Sequence, residues 1–318
     1  MQKVLILGSK GMLGQELVRA FSDDEKYRVV AWDRDDVDVR EKGLLENAIM
    51  NEMPDVVFNA VAYNAVDACE EDDSEYEKAK VLNAELPKNL VIICKNVGAT
   101  LVHYSSDYVF DGKRPIYKGN KRNPNCCGQG CLDCMYMGPE EGLEYFAYHE
   151  NDETHPVSKY GRTKLMGEEN VEKYGNDYYI IRLSKLFGLP ASSAAGKKSF
   201  FDVMLELGKK NDSVQAVDGE TSKFTYAPDL ATKSKEIVEK NMDRGIYHVA
   251  NEGSVTWYDG VVELYKIAGL DTQIKPVPPE AFPRPAKRPD SSVLKVTKIE
   301  KLRHYSEALK EYMENNKK

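Results

Sequence analysis

Three observations in this sequence predict an α/β fold built on a doubly wound parallel sheet. Short apolar runs alternate with helical patterns through the first half of the 318-residue chain. A glycine-rich turn separates the first run from the first helix. The second run ends on a carboxylate, Asp33. Strand–helix alternation at this spacing puts helices on both faces of one parallel sheet, the Rossmann-type arrangement.

Taken in order, Val4–Leu7 reads as a strand and Met12–Phe21 as a helix. Arg28–Trp32 is a second strand, Leu44–Asn51 a helix, and Val56–Asn59 a strand closed by the small residues Ala60 and Ala62. Tyr76–Gly98 carries apolar positions at helical spacing and reads as one long helix. Thr100–Tyr104 and Tyr178–Leu183 are further strands. The interval Pro115–Pro156 is rich in Gly, Pro, Asn and Cys without periodicity, and reads as a long surface excursion. The proline-rich stretch Pro276–Pro289, followed by a charged helix, suits a small region packed beside the main sheet. The expected domains are a dinucleotide-binding domain over 1–185, with an insertion at 115–155 and a returning segment at 212–245, and a smaller C-terminal α/β substrate-binding region from 186–211 and 246–318.

Bulk composition narrows the function. The chain is 42% hydrophobic and 30% charged, with a net charge of -8. It lacks the basic footprint of a nucleic-acid binder. No apolar run approaches the length of a membrane span, and the first strand begins too early for a secretion signal, so a cytoplasmic place is expected.

Gly8-Ser9-Lys10-Gly11-Met12-Leu13-Gly14 joins the first strand to the first helix. Gly8 permits the turn, Gly11 lets backbone approach a pyrophosphate, and Gly14 lets the helix pack near the sheet. The helix start supplies N–H groups and partial positive charge. Asp33 lies where a carboxylate accepts from ribose hydroxyls, which favours NAD(H), whereas Arg34 beside it suits the 2′-phosphate of NADP(H). Lys10, Met12, Leu13, Asp38, Val39, Ala60, Ala62 and Tyr63 complete the candidate cofactor contacts.

Tyr160 and Lys164 are four apart, so on a helix a phenol and an ammonium share one face. A free phenol is a poor acid–base group at neutral pH, and a nearby ammonium is expected to lower its pKa. The strand end His103–Gly112 carries Ser105 and Ser106. Ser106 is the candidate donor to a substrate carbonyl, and Ser105 is expected to cap backbone.

These residues together resemble the extended short-chain dehydrogenases, and among them the dTDP-4-dehydrorhamnose reductase family. The resemblance runs through Asn59–Tyr63, Ala65–Glu70, Asn83, Ser105–Gly112, Pro156–Glu168, Ile181–Gly188, Gly245–Asn251 and Lys287–Leu294. It implies hydride transfer from NAD(P)H to the 4-keto carbon of a nucleotide-linked deoxysugar, with Tyr160 protonating the alkoxide. It also implies Ser106, Lys164 and Tyr160 as the catalytic set, with Tyr160 and Lys164 touching the cofactor as well. Val66, Asp67, Ser106, Tyr108 and Lys185 become sugar-side contacts, and Arg288 a diphosphate contact. Family members often dimerise, so a homodimer is an open expectation. Other members are epimerases or dehydratases, and one relative is a regulatory subunit of methionine adenosyltransferase. Three departures stand out. Lys185 replaces a Trp that lies against the sugar, Phe224 replaces a Pro, and the stretch before Tyr160 is longer than usual.

That extra length holds Cys126, Cys127, Cys131 and Cys134. Their spacing lets thiolates wrap one tetrahedral metal, zinc above all, with an iron–sulfur cluster as a less suited alternative. A reduced loop or a redox disulfide would also fit the cysteines. Structural zinc predicts close to one equivalent of metal in anaerobically purified protein; less than about 0.2 equivalents would sink it.

Overall fold

The computed structural model describes residues 1–113, 146–192 and 198–316. Its centre is a six-stranded parallel sheet. The strands are β1 (Gln2–Leu7), β2 (Tyr27–Trp32), β3 (Val56–Asn59), β4 (Thr100–Ser106), β5 (Tyr178–Leu183) and, from late in the chain, β10 (Gly245–His248). Their order is β2-β1-β3-β4-β5-β10, and every pairing is parallel. The fold is the predicted Rossmann-type sheet.

Side chains on a strand alternate between faces, so a sheet covered on both sides needs apolar residues at every position. β1 meets that demand. Val4 and Ile6 pack with Leu17 and Phe21 of α1 (Met12–Ser22) and with Leu230 and Ile237 of α8 (Ala227–Glu239). Leu5 and Leu7 pack on the other face, with Leu45 and Ile49 of α2 (Lys42–Glu52), Leu90 of α5 (Leu86–Val97) and Val171 of α6 (Lys159–Tyr174).

The long helix predicted over Tyr76–Gly98 is interrupted. A short α3 (Ala68–Glu71) and α4 (Asp73–Lys80) lead into a π turn at Val81–Glu85, and only then does α5 begin. Pro87 supplies the reason. It has no N–H to give the carbonyl four residues back, and its ring crowds that carbonyl, which belongs to Asn83. The backbone widens to a π turn. Two carbonyls of this turn face α6: Ala84 O accepts from Asn170 Nδ2 at 3.0 Å, and a Cβ on Gly167 would lie 2.1 Å from Asn83 O.

A second core belongs to the smaller region. It gathers Phe187 of β6 (Leu186–Phe187), Phe201 and Met204 of α7 (Phe200–Lys210) and Val214 of β7 (Ser213–Val217). β8 (Ser222–Lys223) and β9 (Thr225–Tyr226) flank Phe224, which joins this core with Tyr226. Beyond β10 come β11 (Asn251–Glu252), β12 (Ser254–Val255), α9 (Trp257–Ala268), β13 (Gln273–Val277), β14 (Leu302–His304) and α10 (Tyr305–Asn315). Leu264 and Tyr312 seal the core from α9 and α10.

The expected domain boundaries shift here. In the segment 212–245, α8 covers the main sheet, but β7 pairs with β13 of the smaller region. Residues 246–248 belong to the main sheet through β10. Strand pairing links partners distant in sequence, which local pattern does not reveal. Part of the expected surface excursion is also interior: Ala147, Tyr148 and Glu150 are buried, and Tyr148 bridges to Leu294. Among the described residues no helix is long and apolar enough to cross a membrane.

Gly167→Ala should lower stability by about 1–3 kcal/mol, because its methyl meets backbone that cannot rotate away. Urea unfolding measures this, and an unchanged midpoint would refute the close approach of α6 to the π turn.

Candidate active site

After β1 the chain turns at Gly8, whose φ is +75°. Among the described residues no side chain caps the start of α1, and its first turn holds no acidic residue. Its N–H groups therefore remain for an anionic ligand. A Cβ on Gly14 would sit 2.0 Å from Gly8 O, so only glycine lets α1 begin against the loop. This cradle fits a dinucleotide's pyrophosphate. Leu13 points its side chain into the main core and offers the loop only backbone; Met12 opens the helix beside it.

Asp33 has a bracing role that the sequence does not disclose. Its carboxylate accepts from Lys10 N at 3.0 Å and from Arg34 N at 2.8 Å. Lys10 Nζ pairs with Asp35 at 2.7 Å. Arg34 is exposed. Asp38 is gripped by Arg40, with Nε–Oδ1 at 2.9 Å and Nη2–Oδ2 at 2.6 Å. That pairing holds the Asp38 carboxyl down at about 2. Val39 packs at the rim of the core beneath α2 and α5. Ala60 and Ala62 follow β3, and Ala60 lies against Gly8.

Asn83 ties the next wall together. Its Oδ1 accepts from Tyr63 N at 2.9 Å, and its Nδ2 donates to Tyr63 O and to Thr163 Oγ1, both at 3.0 Å. Thr163 Oγ1 in turn donates to Tyr160 O at 2.8 Å. One buried amide thus sets the cofactor-side loop against the helix that carries Tyr160.

Tyr160 and Lys164 are both buried on α6. The Tyr160 hydroxyl donates to Asn64 Oδ1 at 3.3 Å, and Ser106 lies within hydrogen-bonding reach of it. Lys164 Nζ donates to Tyr104 O at 2.6 Å. The expected lowering of the phenol pKa is not what this site shows. Burial pushes it well up, the nearby Asp107 and Tyr108 add to the rise, and Ser106 opposes it only in part. Tyr160 is a protonated acid here. Burial also brings Lys164 down to about 8.

The expected backbone cap falls on Ser106 and not on Ser105. Ser105 Oγ is buried and has no hydrogen-bond partner among the described residues, so it caps none of them. Ser106 Oγ accepts from Tyr108 N at 3.1 Å and donates to Asp107 Oδ1 at 3.0 Å, capping the 3-10 turn Asp107–Val109. Asp107, buried with Ser292 Oγ donating to it at 2.6 Å, is raised to about 6 mainly by burial.

Tyr108 meets Tyr160 edge to face, with ring centroids 5.8 Å apart. Val66 packs beside Tyr160 and Cys69. Asp67 and Arg288, expected to face a substrate separately, are paired with each other, Nη2 to Oδ2 at 2.7 Å. A second latch joins Arg284 to Glu220, which also accepts from Trp257 Nε1 at 3.1 Å. A small cavity lies among Tyr108, Lys185, Glu220, Trp257, Pro289 and Ser292.

Asn64, Trp257, Glu220, Arg284 and Ser292 are site residues that sequence reasoning missed. Asn64 lies between Asn59–Tyr63 and Ala65–Glu70. Trp257 carries no local signal at all. Cys126, Cys127, Cys131 and Cys134 lie outside the described residues; among those described, no group of His, Cys, Asp or Glu could hold a metal.

A Rossmann sheet with this glycine loop, and with Ser106, Tyr160 and Lys164 gathered beyond it, defines an NAD(P)H-dependent oxidoreductase of the extended short-chain dehydrogenase class. The whole chain, residues 1–318, matches the RmlD substrate binding domain family, and it belongs to that family. It is 33% identical over 308 residues to a dTDP-4-dehydrorhamnose reductase of Burkholderia thailandensis, covering 92% of this chain and 90% of that one. It is 31% identical to a spore coat polysaccharide biosynthesis protein of Bacillus subtilis, over 99% of this chain and 98% of the relative. A solved dTDP-4-dehydrorhamnose reductase from Clostridium acetobutylicum superposes with a TM-score of 0.83 at 31% identity, over 100% of both chains. The Bacillus anthracis enzyme of that name, solved with NADP, gives 0.83 at 26% identity, over 99% of this chain and 100% of its own.

The lowered Lys164 value means that its ammonium is present below about pH 8 and lost above it. Because kcat/KM reports groups of the free enzyme, it should fall above that pH. Lys164→Arg keeps its charge and should lose this alkaline limb, whatever its absolute rate. A limb unchanged in that variant would assign it to another group.

Proposed function

We propose that this protein reduces the 4-keto group of a dTDP-linked deoxysugar, converting dTDP-4-dehydrorhamnose to dTDP-L-rhamnose. The observation that carries this reading is a protonated, buried Tyr160 with Ser106 in reach, set beyond a dinucleotide loop. The names of the relatives at about 30% identity support the same sugar. Exposed Arg34 and the NADP bound by the Bacillus anthracis enzyme favour NADPH.

NADPH, when bound, supplies the hydride that reduces the ketone carbon. This chain's residues handle the oxygen. Ser106 turns its hydroxyl proton from Asp107 to the keto oxygen and polarises it. Tyr160 gives its proton to that oxygen as negative charge develops, and its raised pKa keeps the proton available beforehand. Lys164 holds its ammonium on the same face of α6 and offers a contact for the nicotinamide ribose. Arg288 and Arg284 face the diphosphate, and Val66, Asp67 and Tyr108 border the sugar. Tyr108 stands where a dehydratase would carry a second carboxylate, which speaks against dehydration. The substrate is a nucleotide sugar and not a nucleic acid. The expected place is the cytoplasm, in keeping with the unpaired buried thiols of Cys69 and Cys94.

NADPH oxidation with dTDP-4-keto-6-deoxy-L-mannose tests the assignment. Tyr160→Phe should cut kcat by roughly 10²- to 10⁴-fold, the usual share of a positioned acid, while NADPH affinity holds. Undiminished activity in that variant would refute the mechanism.

A further inference from the structure

Lys185 lies two residues beyond the end of β5, with a φ of +37°. A side chain at positive φ is strained, and such strain persists only where the surroundings enforce it. Here they do. Thr225 Oγ1 donates to Ser184 O at 2.6 Å, Ser184 Oγ donates to Lys223 O at 2.6 Å, and Thr225 N donates to Lys185 O at 3.2 Å. β6 and β9 then pair immediately beyond. The backbone is held in a shape that aims this one side chain.

Lys185 Nζ is incompletely satisfied where it is aimed, and burial brings its pKa down to about 7 against the opposing pull of Asp107, Glu220 and Asp259. Lys185 Nζ donates to Glu220 O and to Val255 O, both at a long 3.3 Å. It sits 4.3 Å from the centroid of the Trp257 ring and 5.2 Å from that of Phe224. An ammonium has three N–H donors, and no carboxylate stands within ion-pair distance of this one among the described residues. The group lines the small cavity whose other walls include Tyr108, Glu220 and Ser292. That cavity adjoins the reacting centre, since Tyr108 touches the Tyr160 ring and Ser292 shares Asp107 with Ser106. The lysine also covers one face of Trp257, so this wall offers a ligand a cation in place of a bare aromatic face.

We propose that Lys185 is a specificity-determining residue, whose ammonium donates to an oxygen acceptor on the substrate sugar, a hydroxyl or a carboxylate, so that sugars lacking this oxygen are rejected. Trp257 and the two carbonyls hold the lysine in place. The proposal rests on the ketoreductase reading for the class of ligand and adds which feature of the sugar is read. A site built to pair with a polar group discriminates against an analogue without it far better than an apolar wall does.

The test is a panel of dTDP-linked 4-keto hexoses: the 6-deoxy sugar with its 2-hydroxyl, its 2-deoxy and 3-deoxy analogues, a 6-hydroxy sugar and a 6-carboxylate. Each is assayed with the wild type, Lys185→Met and Lys185→Arg. For one oxygenated sugar, Lys185→Met should lose about 10- to 100-fold in kcat/KM, the scale of a charged hydrogen bond, while the matching sugar without that oxygen changes little. Lys185→Arg should recover most of the loss. The position where the effect appears tells hydroxyl from carboxylate. An equal loss on every sugar, or no loss on any, overturns the proposal. Calorimetric binding of the same sugars to NADP⁺-loaded protein makes the same comparison without turnover. A wild type that binds these sugars but reduces none refutes the ketoreductase reading, while the binding differences still decide the role of Lys185.

Discussion

The placement of α6, the helix that carries Tyr160 and Lys164, depends on a hydrogen-bond donor that is missing. Pro87 cannot bond to the carbonyl of Asn83, and the helix that contains both opens into a π turn. The carbonyl of Asn83 is then presented to α6 in place of its own helix, and that of Ala84 faces α6 beside it. Gly167 is small enough to lie on the first, and Asn170 donates to the second. The Asn83 side chain, on the same turn, binds both backbone groups of Tyr63 and the Thr163 hydroxyl. Helix α6 is therefore located against β3's loop and α5 by polar contacts of fixed length as well as by packing. Tyr160 and Lys164 inherit their positions from that arrangement.

Charge organises the opposite side of the cleft. The proline-rich segment 276–289 crosses from the smaller region and is latched twice, by Arg288 to Asp67 and by Arg284 to Glu220. Just beyond it, residues 290–297 thread between three separate loops, bridging to Lys113, Thr221 and Tyr148. Behind this layer lies the buried pair Arg182–Glu168, with Arg182 also donating to Glu150 O. Breaking such a pair leaves an uncompensated buried charge and costs about 3–5 kcal/mol. An anion arriving at Arg288 meets a guanidinium that already has a carboxylate, so binding there is an exchange of partners.

Much of the fold was legible because its signals are local. Strands that are apolar at every position, such as Val4–Leu7, announce a sheet covered on both faces. Gly8, Gly11 and Gly14 announce the turn that joins one to a helix. The Tyr160–Lys164 spacing announces a shared helical face. What misled were features settled by partners far along the chain. Ser105 and Ser106 are neighbours of one chemical type, and only the surrounding walls decide which one meets Tyr108 and Asp107. The direction of the Tyr160 pKa shift was misread because spacing shows neither the burial of the phenol nor that Lys164 Nζ is turned to Tyr104 O. Lys185 looked like the loss of an aromatic surface, yet Trp257 arrives beside it from the start of α9.

The division has one physical cause. Periodicity, turn chemistry and residue type act between neighbours on the chain, so the sequence alone determined the doubly wound sheet, the dinucleotide loop and the acid–base helix with its family. Burial, strand pairing and ion pairing act between residues brought together only by folding. Tertiary structure therefore decided that β7 pairs outside the main sheet while β10 joins it, that burial raises the Tyr160 phenol, that Asp67 answers Arg288, and that Lys185 lines the cavity against Trp257.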